Sequence, residues 1–164
     1  MKAIVIGCPG SGKTTFANKL SEKTKTEIFY LDTIWHLPDR NHIPREEFDQ
    51  RLLEILKNEA WIIDGNYQRT LEMRLKVCDT VFFFDLPTET CIQGAIERVG
   101  KYRPEMPWQE TEFDPEFRAE IESFKAQNHE AIYKLLDTYK DGRKITIFKS
   151  RKEADEWLNE IQQV

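Results

Sequence analysis

The chain has only three cysteines, Cys8, Cys78 and Cys91, and no two of them form a C-x-x-C pair. That excludes a disulfide framework and a cysteine-built zinc site, and it fits reduced thiols. No apolar run approaches the roughly 18 residues that a spanning helix needs. The first apolar stretch, Ala3-Ile4-Val5-Ile6, leads into a glycine-bearing loop instead of a signal-peptide cleavage site, so the expected location is cytoplasmic, with no membrane partner. Positive charge is not in surplus either. The chain carries 24 Lys and Arg against 29 Asp and Glu, a net charge of −5. A constitutive duplex-DNA binder needs a basic face, and no helix-turn-helix or zinc-finger pattern is present, which argues against nucleic acid as a direct ligand. Without repeats, low-complexity tracts or a Gly/Ser linker, the 164 residues are expected to form one domain over 1–164, as a monomer or homodimer.

What is present is organised around Gly7-Cys8-Pro9-Gly10-Ser11-Gly12-Lys13-Thr14. The spacing fits GxxxxGK(S/T), and it directly follows the apolar run. Glycines let such a loop turn its backbone N–H groups inward around a polyphosphate, while the following helix adds the positive end of its dipole. In that arrangement Lys13 reaches the β- and γ-phosphates and the Thr14 hydroxyl ligates Mg²⁺. Cys8 is read as a small filler.

Further along, residues 13–23 place Phe16, Ala17 and Leu20 at helical spacing, and Glu27 to Leu31 reads as a strand that stops at Asp32. In a parallel sheet the carboxyl ends of strands face ligand, so Asp32 is a candidate for the second substrate. Thr33 to Ile43 has no clean period and suits a substrate-covering loop containing Trp35, His36, Arg40 and His42. Pro44 opens a helix with Phe48, Leu52, Ile55 and Leu56 inward. Trp61-Ile62-Ile63-Asp64 is the next strand, and an acid at the end of a strand behind such a loop orients Mg²⁺. Arg69 and Arg74 follow on a short helix, each able to grip an acceptor phosphate or to stay solvated.

Thr80 to Phe84 is a fourth strand, apolar enough to be covered on both faces. Thr88 is a candidate cap for a helix with Ile92, Ala95, Ile96 and Val99 inward. That helix ends in Arg98, Gly100, Lys101 and Arg103, broken by Pro104 and Pro107: cations on a segment able to close. Pro115 to Tyr139 reads as one long helix, Lys144 to Phe148 as a fifth strand, and Ser150 to Glu153 as a capping box before a last helix. The alternation predicts an α/β fold with a parallel sheet covered on both faces.

The loop, WIIDGNY, FDLP and IERVGKYR together make the chain resemble the nucleoside-monophosphate kinases, adenylate kinase above all. LDTIWHLP, WIIDGNY, FDLP and FKSRKEADEW are most similar to small bacterial proteins called DNA topology modulation proteins. The resemblance implies a three-layer α/β/α P-loop NTPase fold with a five-stranded parallel sheet, an acceptor-side insert at about 32–58 and a short lid at about 100–116. It implies ATP and Mg²⁺ as cofactors, with Gly7, Pro9, Gly10, Ser11, Gly12, Lys13, Thr14 and Thr15 around the donor phosphates. By the same resemblance Asp64 organises the metal with Thr14, Arg98 stands at the lid's base with Lys101 or Arg103 as the lid's second cation, and Lys149 and Ser150 lie by the donor base. The catalytic set is then Lys13, Asp32, Asp64, Arg98 and Arg103. Adenylate kinases carry an arginine directly after the acceptor-site strand, whereas this chain reads LDTIWH there, and Arg69 falls one position beyond the family's second arginine.

The expected activity is transfer of the γ-phosphoryl group of Mg·ATP to a nucleotide or other small-molecule acceptor. The alternatives are an ATP-binding regulatory protein that modulates DNA topology, and an ATPase switch that needs no acceptor.

Overall fold

The computed structural model describes residues 1–161. Five strands, β1 (Lys2–Gly7), β2 (Ile28–Tyr30), β3 (Trp61–Asp64), β4 (Thr80–Phe84) and β5 (Lys144–Phe148), form one sheet in the order β2-β3-β1-β4-β5. Every neighbouring pair is parallel. Parallel strands need crossover segments, and helices supply them: α1 (Lys13–Thr24), α2 (Leu31–Trp35), α3 (Arg45–Leu56), α4 (Gln68–Leu75), α5 (Thr88–Arg98), α6 (Pro115–Phe124), α7 (Glu130–Thr138) and α8 (Arg151–Glu160). The fold class is therefore α/β, as the alternation predicts. No helix among the described residues is long and apolar enough to cross a membrane.

Both faces of the sheet are covered. Ala3 to Ile6 in the central strand are 0 % exposed. Successive residues of a strand point to opposite faces. On β4, Phe82 packs on Phe16 of α1 (4.9 Å between ring centroids) and Trp157 of α8 (4.7 Å), whereas Phe83 meets Tyr133 of α7 (5.4 Å). Layers of helix thus lie on either side, and a continuous core runs through the sheet. All three cysteines are buried and free.

Four expectations need correction. The second strand ends at Tyr30, and Leu31–Trp35 winds into one short helix, so Asp32 sits in a helical turn instead of ending a strand. Five residues are too few to show a helical period. The segment beyond it is closed by an antiparallel bridge from His36 to His42. The long helix over 115–139 is interrupted by a π-helical turn, Lys125–His129. Buried Phe124 and Ile132 are eight residues apart, an offset of about 80° on a regular α-helix; the wider turn absorbs it and keeps both on the core side. Pro87 caps α5 in place of Thr88, and Ile96 is exposed instead of facing inward.

The sheet also fixes what stands beside the Gly7–Thr14 loop. β1 leaves between β3 and β4, with Val5 opposite Asp64 and Gly7 opposite Phe84. Hence Asp64 and the loop emerge side by side at the carboxyl end of the sheet, where open parallel sheets hold their ligands. The loop is pressed onto α5: a Cβ on Gly10 would lie 2.1 Å from the Cys91 carbonyl oxygen, and one on Gly94 would lie 2.1 Å from the Gly10 oxygen.

Candidate functional site

The Gly7–Thr14 loop is held from beneath by its own chain. Arg151, at the start of α8, donates from Nη2 to the Gly10 carbonyl at 2.9 Å, and Lys13 Nζ donates to the Cys8 carbonyl at 3.0 Å. Gly12 sits at φ +98°, a conformation that favours glycine, and starts α1 without a side-chain cap. The first-turn N–H donors of α1 therefore have no side-chain acceptor, and the helix dipole makes the same point attractive to an anion.

Beside it, the Thr14 hydroxyl donates to Asp64 Oδ2 at 2.6 Å. Asp64 is buried, and its Oδ1 has no hydrogen-bond partner among the described residues. Burial raises its carboxyl from the usual 3.8 to about 6, against the opposing pull of the Lys13 charge and the Thr14 hydrogen bond. Because the folded value lies above the unfolded one, the stability that protonated Asp64 contributes is present below pH 3.8 and is lost as pH rises through about 6 in the ligand-free protein. Burial also lowers the Lys13 ammonium from its ordinary value, with Asp64 pulling the other way.

Two cavities open from this point. The larger, about 620 Å³, is lined by Asp32, Trp35, Tyr67, Trp108 and Glu120 as well as by the loop; Pro9 and Asp64 also border it. The smaller, about 470 Å³, runs along Gly10, Gly12, Thr15, Lys101 and Arg151. Lys13, Thr14, Arg98 and Arg103 line both. The two spaces thus meet at a seam carrying three cations and a hydroxyl.

Across the larger cavity, Asp32 Oδ1 accepts the Tyr67 hydroxyl at 2.6 Å, and His36 Nε2 lies 3.8 Å from the same oxygen. Tyr67 has φ +36°, rare for a residue with a side chain, and burial together with the adjacent Asp32 carboxylate raises its phenol. Its strained backbone and its bond to Asp32 make this loop a pre-set feature of the site. Burial lowers the His36 imidazole, which favours its neutral form.

The segment between α5 and α6, predicted as a lid, lies folded onto the predicted acceptor-side insert. Thr33 donates to the Glu105 carbonyl at 2.6 Å, His36 meets the Trp108 ring edge-on at 5.0 Å, and the Arg40 guanidinium lies 5.3 Å from the centre of the same ring. Arg98 lies over Phe117 at 5.6 Å, and burial lowers its guanidinium. Arg103 bonds Glu105 at 2.8 Å and stands 3.8 Å from Glu110.

Other predicted residues go elsewhere. Neither Lys149 nor Ser150 borders either cavity. The Lys149 ammonium bonds Asp85 at 2.5 Å, its N–H donates to Glu153 at 2.7 Å, and Ser150 Oγ accepts the Glu153 N–H at 3.2 Å, so this pair belongs to the α8 cap. Ser11 is buried, with its hydroxyl unpartnered among the described residues. Arg69 forms a two-pronged pair with Asp49 at 3.0 and 2.7 Å, and Arg74 is wholly buried, donating to the carbonyls of Gly65, Asn66 and Tyr67. Neither arginine lines either of these two cavities. Asp85 is architectural: burial pushes its carboxyl up, but hydrogen bonds from Lys149, Tyr133 and His129 hold it down at about 2.

Sequence reasoning missed Arg151, Trp108 and Glu120. Glu120 had a signal, a carboxylate at the i+3 position from Phe117 and the i−4 position from Phe124, on the helical side next to those two aromatics. It faces the larger cavity, where partial desolvation raises its carboxyl. The other two had none, because each acts through a contact distant in sequence. No protein-family model matches the chain, and no curated protein matches it.

Proposed function

We propose that this chain is an ATP-dependent phosphotransferase with a phosphate-loop fold of the adenylate-kinase-like kind. It moves the γ-phosphoryl group of Mg·ATP to a small-molecule acceptor. The observation that carries the reading is the seam: Lys13, Thr14, Arg98 and Arg103 border both cavities, with Asp64 bonded to Thr14 at 2.6 Å beneath them. Phosphoryl transfer asks for this arrangement, since positioning and neutralisation of charge supply most of its catalysis.

On this reading the first-turn N–H groups of α1 and the loop hold the donor phosphates, with the smaller cavity taking the rest of the nucleotide. Lys13 exchanges its bond to the Cys8 carbonyl for the β- and γ-phosphates, which repays its desolvation. Arg98 and Arg103 offset charge on the group in transit, and the segment from 99 to 114, resting on Thr33, His36 and Arg40, excludes water.

The residues present suit magnesium. The described residues contain no group of three or more His, Cys, Asp or Glu side chains able to hold a metal ion unaided. Mg²⁺ keeps most of its waters and takes only one or two protein oxygens beside substrate phosphates, and the Thr14 hydroxyl and the unpartnered Oδ1 of Asp64 are hard oxygen donors of that kind. When bound there it would neutralise phosphate charge. Because Asp64 must be ionised to serve, affinity for Mg·ATP should be flat above about pH 6 and fall about tenfold per pH unit below it. Calorimetric titrations between pH 5 and 8 check this; affinity that does not change across pH 6 would remove Asp64 from the metal site.

The activity itself is tested by following ADP release from Mg·ATP against pooled nucleotides, nucleosides, sugars and polyols. At least one pool should raise release well above the acceptor-free rate. If every pool leaves that rate unchanged while ATP binds, the phosphotransferase reading fails.

A further inference from the structure

The acceptor half of the cavity has a chemistry of its own. Away from the Gly7–Thr14 loop, its charged lining is Asp32, Asp64, Glu110, Glu112, Asp114 and Glu120 against Arg40, Arg98 and Arg103, and of these Asp64, Arg98 and Arg103 stand at the donor end, Asp64 bonded to Thr14 and both arginines shared with the smaller cavity. Arg103 is already engaged by Glu105 and Glu110, and Arg40 lies over the Trp108 ring. The arginines best placed in sequence to grip an acceptor phosphate are spent elsewhere: Arg69 on Asp49, and Arg74 on three backbone carbonyls. A phosphate brought here meets a lining in which carboxylates outnumber arginines, and like charges repel. A neutral acceptor carries no such penalty. Tyr67, Trp108 and Phe117 offer it apolar ring faces and edges.

Asp32 is built for the remaining task. Tyr67 and His36 approach its Oδ1, and none of its hydrogen bonds to described residues uses Oδ2. The carboxylate is fixed by one oxygen, and the residue lines the cavity that Lys13 and Arg98 also line.

We infer that the acceptor is an uncharged, hydroxyl-bearing ring compound, a nucleoside or a sugar, and that Asp32 Oδ2 takes the proton from the attacking hydroxyl. This rests on the phosphotransferase reading above. In the step, the acceptor oxygen bonds the γ-phosphorus and the bond from that phosphorus to the β,γ-bridging oxygen breaks. The electron pair leaves with ADP, and the hydroxyl proton passes to Asp32 and then to solvent. A phosphate acceptor is already deprotonated and needs no such base.

The test sets three acceptor arms against wild-type protein and Mg·ATP: unphosphorylated nucleosides, neutral sugars and cyclic polyols, and nucleoside monophosphates. ADP release is measured, and products are identified by mass spectrometry. Turnover should appear in one of the first two arms, and which one names the source. Asp32→Asn should then lower that turnover by about 10²-fold with ATP affinity within about twofold of wild type. Turnover confined to nucleoside monophosphates overturns the inference and leaves the phosphotransferase reading standing. Turnover of a hydroxyl acceptor that Asp32→Asn leaves unchanged overturns the role of Asp32. Silence in all three arms overturns both. If Asp32→Asn does not fold, the wild-type panel alone still decides the acceptor class.

Discussion

Replacing Lys13 with alanine should lower phosphoryl transfer by about 10³-fold and leave the protein as stable as before. Lys13 is half-buried, its side chain donates to the Cys8 carbonyl, and burial disfavours its charged form. The fold therefore gains little from this ammonium, while a transferring phosphoryl group would gain a cation at the seam of the two cavities. Arginine should not restore activity, because the planar fork does not fit where one compact point charge does. Acceptor-dependent ADP release and thermal melting, measured on the same preparations, separate the two effects. Transfer within threefold of wild type would show that Lys13 does not meet the phosphates.

Arg74→Met should have the opposite signature, a loss of stability of about 3 kcal/mol or more with the donor site intact. Arg74 is 0 % exposed and donates to the carbonyl oxygens of Gly65 at 2.9 Å, Asn66, and Tyr67 at 3.1 Å. Burial pulls its guanidinium down to about 10, a measure of how strongly the interior resists the charge. Methionine fills much of the volume but leaves those carbonyls unpaired, and each buried orphan costs about 1–3 kcal/mol. In a domain of this size the melting temperature should fall by about 6–12 °C. Because the three carbonyls form the turn that sets Tyr67 at φ +36° and so holds Asp32, the acceptor KM should rise while ATP affinity stays within a few-fold. Urea denaturation measures the first effect and steady-state kinetics the second. A stability loss under about 1 kcal/mol would mean that water replaces the guanidinium at those carbonyls.

These two residues also show what can be read from the sequence and what cannot. The place of Lys13 is legible because it depends on neighbours within a few positions: strand, glycines and helix follow one another in the chain. The same holds for Asp64, which ends an apolar strand, and for the alternation that predicts the parallel sheet. Arg74 and Arg69 looked equivalent as surface arginines on a short helix. Yet Thr70, Leu71, Arg74 and Leu75 form the buried face of α4, and helical spacing alone could have placed Arg74 there. Other features depend on contacts that no local pattern encodes. The single turn that carries Asp32, the π-helical turn that keeps α6 and α7 in phase, Arg151 beneath the loop and Trp108 against His36 all arise from packing between segments far apart in the chain.

We propose above all that the Gly7–Thr14 loop, Asp64 and Lys13 form the donor half of a phosphoryl-transfer site. The most direct test is a calorimetric titration with a non-hydrolysable ATP analogue, with and without Mg²⁺, on the wild type and on Lys13→Ala. Binding should show one site per chain, tighter with Mg²⁺ at pH 7 than without it, and at least about tenfold weaker in Lys13→Ala. No binding by the wild type, or equal binding by the variant, would contradict it.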